Sequence, residues 1–169
     1  FSLEAYHKRY ARYPVSTQFP TFTMADTGEQ YEVQYIMIPL LDQGEGRASG
    51  MEAFVQKRLG GRAWGQLAYA YSRTEQRALD GQWRPGTFDL PHVLSAISGV
   101  KLTRRLELSA KFTYTSGRPM TPFRPEAQEQ NRLIWDAARY NAERAPDYHR
   151  LDLRLDRRSS HGWGNLAFY

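Results

Sequence analysis

The sequence predicts an all-β fold, an antiparallel up-and-down meander of about seven strands. Three observations carry that expectation. Apolar and polar side chains alternate over segment after segment. Hairpin-length turns and long connections also alternate along the chain. Third, no apolar run approaches the roughly 18 residues that a membrane helix needs, and mean hydropathy is low at −0.68.

Period two is the signature of a strand, because successive side chains leave a strand on opposite faces. Residues 1–10 open the chain with Leu3 and Ala5 set against Ser2, Glu4 and Lys8. Met51, Ala53 and Val55 oppose Glu52 and Gln56, with Phe54 on the polar side. Leu67, Tyr69 and Tyr71 oppose Gln66, Ala68, Ala70 and Ser72. Residues 92–103 are more uniformly apolar, with Leu94, Ala96, Val100 and Leu102 on one face and Lys101 on the other. The clearest alternation runs from Leu106 through Leu108, Ala110 and Phe112 to Tyr114, between Glu107, Ser109, Lys111 and Thr113. Leu151, Leu153 and Leu155 repeat it against Arg150, Asp152, Arg154, Asp156 and Arg158. Residues 163–169 close the series, Leu166 and Phe168 opposing Asn165.

Gly60-Gly61-Arg62, Thr103-Arg104-Arg105 and Ser159-Ser160-His161-Gly162 have hairpin length and composition. Between them lie long links at 14–48, 74–91 and 117–148, well beyond the roughly 12–15 residues at which a loop becomes uncommon and usually functional. In an antiparallel meander, strict alternation puts every short turn at one end and every long loop at the other.

That asymmetry, strands of about 9–11 residues and aromatic rings near one end are the pattern of outer-membrane β-barrels. Tyr69, Tyr71, Phe112 and Tyr114 fall near the long-loop ends, as a headgroup belt requires. Lys57, on the apolar face beside a short turn, is placed to snorkel. His7, mid-strand on that face, has no evident role. Period two does not say which face is wet, so a soluble β-barrel or sandwich acting as a binding module is the rival reading. A small complete barrel is disfavoured by the odd strand count. Phe1 is not an initiator methionine and the alternation starts at once, so the chain reads as a piece of something longer.

Net charge is +5 with a pI near 9.6. The basic residues are scattered in sequence, no run exceeds a pair, and no recognition-helix or RNP-type motif accompanies them, so a nucleic-acid partner is not expected. The absence of cysteine excludes disulfides, thiol catalysis and Cys-ligated metals. His7, His92, His149 and His161 lack metal-ligand spacing, although His92 and His149 both sit at long-loop ends. Ser72, Ser95 and Ser109 have no nucleophile-elbow context and Gly60-Gly61 is no phosphate loop. No catalytic residue, metal ligand or cofactor site is expected, and the chain is not expected to be an enzyme.

From Gly46 onward the chain resembles the C-terminal barrel region of TonB-dependent outer-membrane receptors. The blocks that carry the likeness are Gly46-Arg47-Ala48-Ser49-Gly50-Met51-Glu52, Tyr69-Ala70-Tyr71-Ser72-Arg73 and Phe88-Asp89-Leu90-Pro91-His92-Val93-Leu94. Thr115-Ser116-Gly117-Arg118-Pro119, Thr121-Pro122-Phe123 and, most specifically, Pro146-Asp147-Tyr148-His149-Arg150-Leu151-Asp152-Leu153-Arg154 follow. Glu4-Ala5-Tyr6 with Lys8 resembles a strand entering a loop, and about 15–45 is the least similar stretch. The resemblance implies a large barrel of about 22 strands holding a plug, which imports siderophores, cobalamin or sugars with energy from TonB. It implies that residues 1–169 are part of such a barrel without its plug domain, cut in mid-strand at both ends. It places the chain in the bacterial outer membrane. Its partners would be membrane lipid, lipopolysaccharide, a small-molecule substrate and, through the rest of the protein, the plug and TonB.

On that reading Glu107, Lys111, Arg150, Asp152, Arg154, Asp156 and Arg158 line the wet lumen wall, and cross-strand ion pairing is their expected role, ahead of contact with plug or substrate. Loop residues Arg118, Phe123, Arg124, Trp135, Arg139 and Tyr140 are candidate ligand contacts and, with Arg144, make an arginine and aromatic mixture that suits anionic or ring-bearing ligands, lipopolysaccharide phosphates or simple packing of the loop equally well. Residues 131–144 are expected to form a short helix, with Leu133, Ala137 and Tyr140 in partial register.

Overall fold

A computed structural model describes residues 1–26, 38–58, 60–125, 134–161 and 164–168. Seven strands form the expected meander: β1 (Ser2–Ser16), β3 (Leu40–Lys57), β4 (Ala63–Arg77), β6 (His92–Lys101), β7 (Leu106–Thr115), β10 (Tyr148–His161) and β11 (Gly164–Phe168). Each pairs antiparallel with the next. Two short strands extend the same sheet at the long-loop end, β2 (Phe19–Thr23) beside β1 and β5 (Trp83–Pro85) beside β4. A separate ribbon, β8 (Pro119–Met120) with β9 (Glu143–Arg144), lies within the last long connection. The expected faces of Leu166, Phe168 and Asn165 fall on side chains outside the described set, and residues 162 and 163 lie outside the described residues.

The register carries the alternation across the sheet without a slip. Val55 stands opposite Leu67, Leu67 opposite Ala96, Ala96 opposite Phe112, and Phe112 opposite Leu151. Directly opposed residues share a face, so this row and its neighbours make one apolar surface. Nothing among the described residues covers it: Leu151, Leu153 and Leu155 remain 61, 69 and 53% exposed. The surface also runs obliquely. Val55 ends the apolar stretch Met51, Ala53, Val55 of β3, yet it is level with Leu151, which begins the stretch on β10. The band therefore slides four residues along the strands while crossing four strand steps. Four residues rise roughly 13 Å, four steps cover about 19 Å, and the strands tilt about 35° from the normal of the band.

Four strands are longer than the alternation predicts: β10 runs on to His161, so Ser159-Ser160-His161, expected in the third turn, pair as strand with β11 instead. β1, β3 and β4 run 15, 18 and 15 residues, so the first link shrinks to 17–39 and the second to 78–91. Their extensions are charged where the band was apolar. Arg47 Nε meets Glu75 Oε2 at 2.7 Å and Arg77 Nη2 meets Glu45 Oε1 at 2.6 Å, each across β3 and β4. The Trp83 ring lies under both guanidiniums, 4.3 Å from Arg47 and 5.2 Å from Arg77. His7 stands in this charged zone, opposite Ser49 and one position above the band, accepting from Arg9 Nε at 3.2 Å. The longer strand gives it the role that a short strand denied it.

Glycines on the polar face lie beneath aromatic rings from the neighbouring strand. A Cβ on Gly50 would stand 2.8 Å from the Tyr6 ring, and one on Gly46 would stand 2.7 Å from the Tyr13 ring. At the other end Gly99 faces Trp64, and a Cβ there would meet the indole at 2.5 Å. Trp64 is thereby held with Nε1 donating to Glu107 Oε1 at 2.9 Å. We predict that Gly99→Ala displaces the indole and costs about 1–3 kcal/mol, read as a lower denaturation midpoint; an unchanged midpoint would show that the indole is free to move.

Candidate functional site

Two polar assemblies stand out. The first is the charged ladder on the polar face of β10. Arg150 Nη2 meets Asp152 Oδ1 at 2.7 Å, and Arg154 Nη2 meets Asp156 Oδ1 at 2.9 Å. These pairs run along the strand and not, as expected, across it. Residues two apart share a face, and an arginine fork reaches its next neighbour as readily as the adjacent strand. Lys111 stands opposite Asp152 in register, but that carboxylate is already taken by Arg150. Arg158 does cross, its Nη2 3.8 Å from Glu107 Oε2. Glu107 lies directly opposite Asp156, and these two like charges are each held by an arginine, with Trp64 beside Glu107.

The second assembly lies where the long connections meet. β2 ends in a 3-10 turn, Met24–Asp26, whose last residue is the hub. Both Asp26 carboxylate oxygens accept from the Thr87 amide, at 3.0 and 2.9 Å, and Oδ2 also accepts from Gln76 Nε2 at 2.7 Å. The Asp26 carbonyl accepts from Thr87 Oγ1 at 2.8 Å and from the Tyr140 hydroxyl at 2.7 Å. Gln76 Oε1 in turn accepts from the amide and hydroxyl of Thr23, at 3.1 and 2.6 Å. One aspartate thus joins the first long connection to the second and third. Above it the Phe22 and Tyr140 rings stack with centroids 4.7 Å apart. Thr21 Oγ1 donates to the Ala137 carbonyl at 2.7 Å, and Asn141 Nδ2 to the Pro85 carbonyl at 2.9 Å.

A second carboxylate does the same nearer the sheet. Asp89, 1% exposed at its side chain, accepts from the Thr74 amide at 2.7 Å and pairs with Arg144. Arg144 Nη1 also donates to the carbonyls of Asp89, at 2.9 Å, and Gly117, at 3.0 Å. Gly117 has no room for a side chain, since a Cβ would fall 1.6 Å from the Ala145 carbonyl oxygen. At the mouth of β10, Asp147 accepts from the Tyr114 hydroxyl at 2.6 Å and the Gly117 amide at 2.9 Å, which hold its carboxyl below the usual range.

The expected loop contacts divide. Phe123 and Trp135 stack with ring centroids 4.2 Å apart, next to the Arg124 amide bond to the Ile134 carbonyl. Arg118 and Arg124 are exposed, and Arg139 is tied to Glu143 at 3.0 Å. Tyr140 is corrected: at 2% exposure it is packing and latch, and does not reach solvent. The helix expected over 131–144 reduces to a 3-10 turn, Ala137–Arg139, with the Asp136 side chain accepting from the Ala138 amide. Tyr140 leaves it with extended dihedrals and Asn141 takes a left-handed φ of 54°, so a helix cannot continue; residues 131–133 lie outside the described residues. His92 is sandwiched by Tyr69 and Tyr71, its Nδ1 2.8 Å from the Tyr69 hydroxyl, while His149 stands opposite Tyr114. Among the described residues no three His, Cys, Asp or Glu side chains are placed to hold a metal ion. Asp26, Thr87, Asn141 and Arg144 were not foreseen as a set. The hints were Asp89, an acid inside one of the family-like blocks, and Arg144 among the charged residues of the last long loop.

No family model matches the chain, and neither a curated protein nor a solved structure does.

Burial pushes the Asp26 carboxyl up to about 6, against the lowering effect of its bonds from Thr87 and Gln76. A raised carboxyl favours the folded state while protonated. Its contribution is full below about pH 4 and is lost as pH rises through about 6, a swing of order 2 kcal/mol. The protection factor of the Thr87 amide should therefore fall between pH 5 and 7.5, and Asp26→Asn should flatten that dependence. Arg144→Met strands the Asp89 charge and should loosen the cluster by about 3–5 kcal/mol. Faster tryptic cleavage at Arg118 and Arg124 measures this; unchanged cleavage would mean that Arg73, 3.6 Å from Asp89, suffices alone.

Proposed function

We propose that the chain forms part of the wall of a transmembrane β-barrel in a bacterial outer membrane. The barrel is that of a TonB-dependent transporter that imports a scarce nutrient such as a siderophore, cobalamin or a carbohydrate. The observation that carries the reading is the oblique apolar band. A surface of exposed Leu, Val, Ala and aromatic side chains needs an apolar medium, and its tilt of about 35° falls in the range of outer-membrane strands. The band is bounded by ion pairs on the long-loop side and by Lys57 and Arg157 on the short-turn side. Its long-loop margin carries Tyr69, Tyr71, His92 and Tyr114, the amphipathic rings of an interfacial girdle.

The opposite face then borders a wet lumen, where the β10 ladder is solvated and offers alternating charges to a plug or a passing solute. Ligand selectivity belongs to the loop surface around Phe123, Trp135, Arg118 and Arg124, carried on the cluster that Asp26 and Asp89 brace. The role is transport and not catalysis. The particular nutrient class rests on the resemblance of the sequence blocks, and the membrane wall on the geometry.

Leu153 and Asp152 are adjacent on β10 and face opposite ways, so they test the reading directly. Leu153→Asp should cost about 1–3 kcal/mol in lipid and deplete the heat-modifiable folded form in outer-membrane fractions. Asp152→Asn should leave that form intact. Equal tolerance of both changes would rule out a lipid-facing Leu153.

A further inference from the structure

The fold gathers charge that looks scattered in the sequence. Segments 57–62, 101–105 and 157–161 contain Lys57, Arg58, Arg62, Lys101, Arg104, Arg105, Arg157 and Arg158, and no acidic residue. The chain as a whole carries +5, so these 16 residues hold +8 and all the rest together −3. The sheet sets the segments side by side on one rim. The Lys101 amide donates to the Arg62 carbonyl at 2.8 Å, and the Arg158 amide to the Arg105 carbonyl at 2.8 Å.

Counter-charge from the protein is almost missing there. Among the described residues no carboxylate lies within 4 Å of Lys57, Arg58, Arg62, Arg104, Arg105 or Arg157. Arg158 alone reaches Glu107, at 3.8 Å. All of these cations except Lys101 are exposed; Lys101, opposite Glu107, and Arg158 lie on the polar face, so the belt rests on Lys57, Arg58, Arg62, Arg104, Arg105 and Arg157. At the long-loop end Arg47, Arg77, Arg84, Arg139 and Arg144 each hold an acid, while among the described residues there Arg12, Arg118 and Arg124 do not. The basic rim also adjoins the apolar face at Val55, Val100, Leu102 and Leu155, of which Leu102 is 49% exposed. Lys and Arg stems can lie along such a border with their heads in the headgroup layer.

We infer that this rim is a docking belt for the phosphate-bearing headgroups of anionic phospholipids in the leaflet it meets. The inference rests on the membrane-wall reading and adds a site and a ligand chemistry to it. Concentrated positive charge alone would suit any polyanion. Its continuity with an uncovered apolar face favours one that presents phosphate next to hydrocarbon.

The test measures association of the chain with phosphatidylcholine vesicles, pure or carrying about one-third phosphatidylglycerol, by flotation at low and high salt. A cation at an anionic surface contributes about fivefold in affinity. The unaltered chain should prefer anionic vesicles by more than about 100-fold, and high salt should erase the preference. Arg104→Gln with Arg105→Gln, and separately Arg58→Gln with Arg62→Gln, should each lower it about 25-fold while binding to neutral vesicles stays unchanged. Lys8→Gln with Arg9→Gln removes the same charge at the other end and should keep the preference. Equal association with both vesicle types, or an equal loss in the Lys8 and Arg9 variant, would overturn the headgroup inference alone. Association with neither would overturn the membrane-wall reading as well. Tighter binding to a DNA duplex than to anionic vesicles would also overturn it, in favour of a nucleic-acid partner.

Discussion

Everything in this structure depends on an unslipped antiparallel register. A strand has only two faces, so moving one pairing by a single residue would exchange leucines for arginines across a whole hairpin. Here five successive pairings keep the apolar side chains together from Leu3 to Leu155. The only irregularities in β1 pairing lie beyond the band, between Ala11 and Val15 and at Val15 and Ser16. Bulges are tolerated there because neither face is uniformly apolar. Arg12, with a φ of 61°, takes up that irregularity where the chain bends into its first long connection.

The loops obey a different constraint. They leave the sheet with unpaired backbone groups, and a cluster packed against itself must satisfy these internally. Two carboxylates anchor that network: Asp26 collects the Thr87 amide and Asp89 the Thr74 amide. Each draws in a partner from another connection, Gln76 from the end of β4 and Arg144 from β9. What is buried at this end is accordingly polar, with Thr23, Gln76, Thr87, Asp89, Thr121 and Asn141 beside Phe22 and Tyr140. The sheet itself buries little on either face.

Most of the meander was legible because alternation is a local property. The faces of Leu106 to Tyr114 and of Leu151 to Leu155 are as read, and the strand order follows from the turn lengths. The strand ends were not legible. Gly44-Glu45-Gly46-Arg47 has loop composition, yet it is strand, since Tyr13 covers Gly46 and Glu45 and Arg47 find partners on β4. Such compensation comes from neighbours distant in sequence. The same holds for the ladder, whose charges were foreseen but whose pairing direction depends on how guanidinium forks settle. It holds most strongly for Asp26, whose partners Gln76, Thr87 and Tyr140 lie 50 to 114 positions away.

The Asp26 hub bears on how this protein can change over evolutionary time. Surface loops usually diverge independently, each free to lengthen or exchange residues while the scaffold stays put. Three connections that share one aspartate lack that freedom. A substitution at Thr87 or Tyr140 alters the bonds that hold the turn at Met24–Asp26, so a change in one loop creates a demand for a matching change in another. New specificities would then arise through correlated replacements spread over the chain, or through outward-facing positions such as Arg118 and Arg124 that lie outside the shared network.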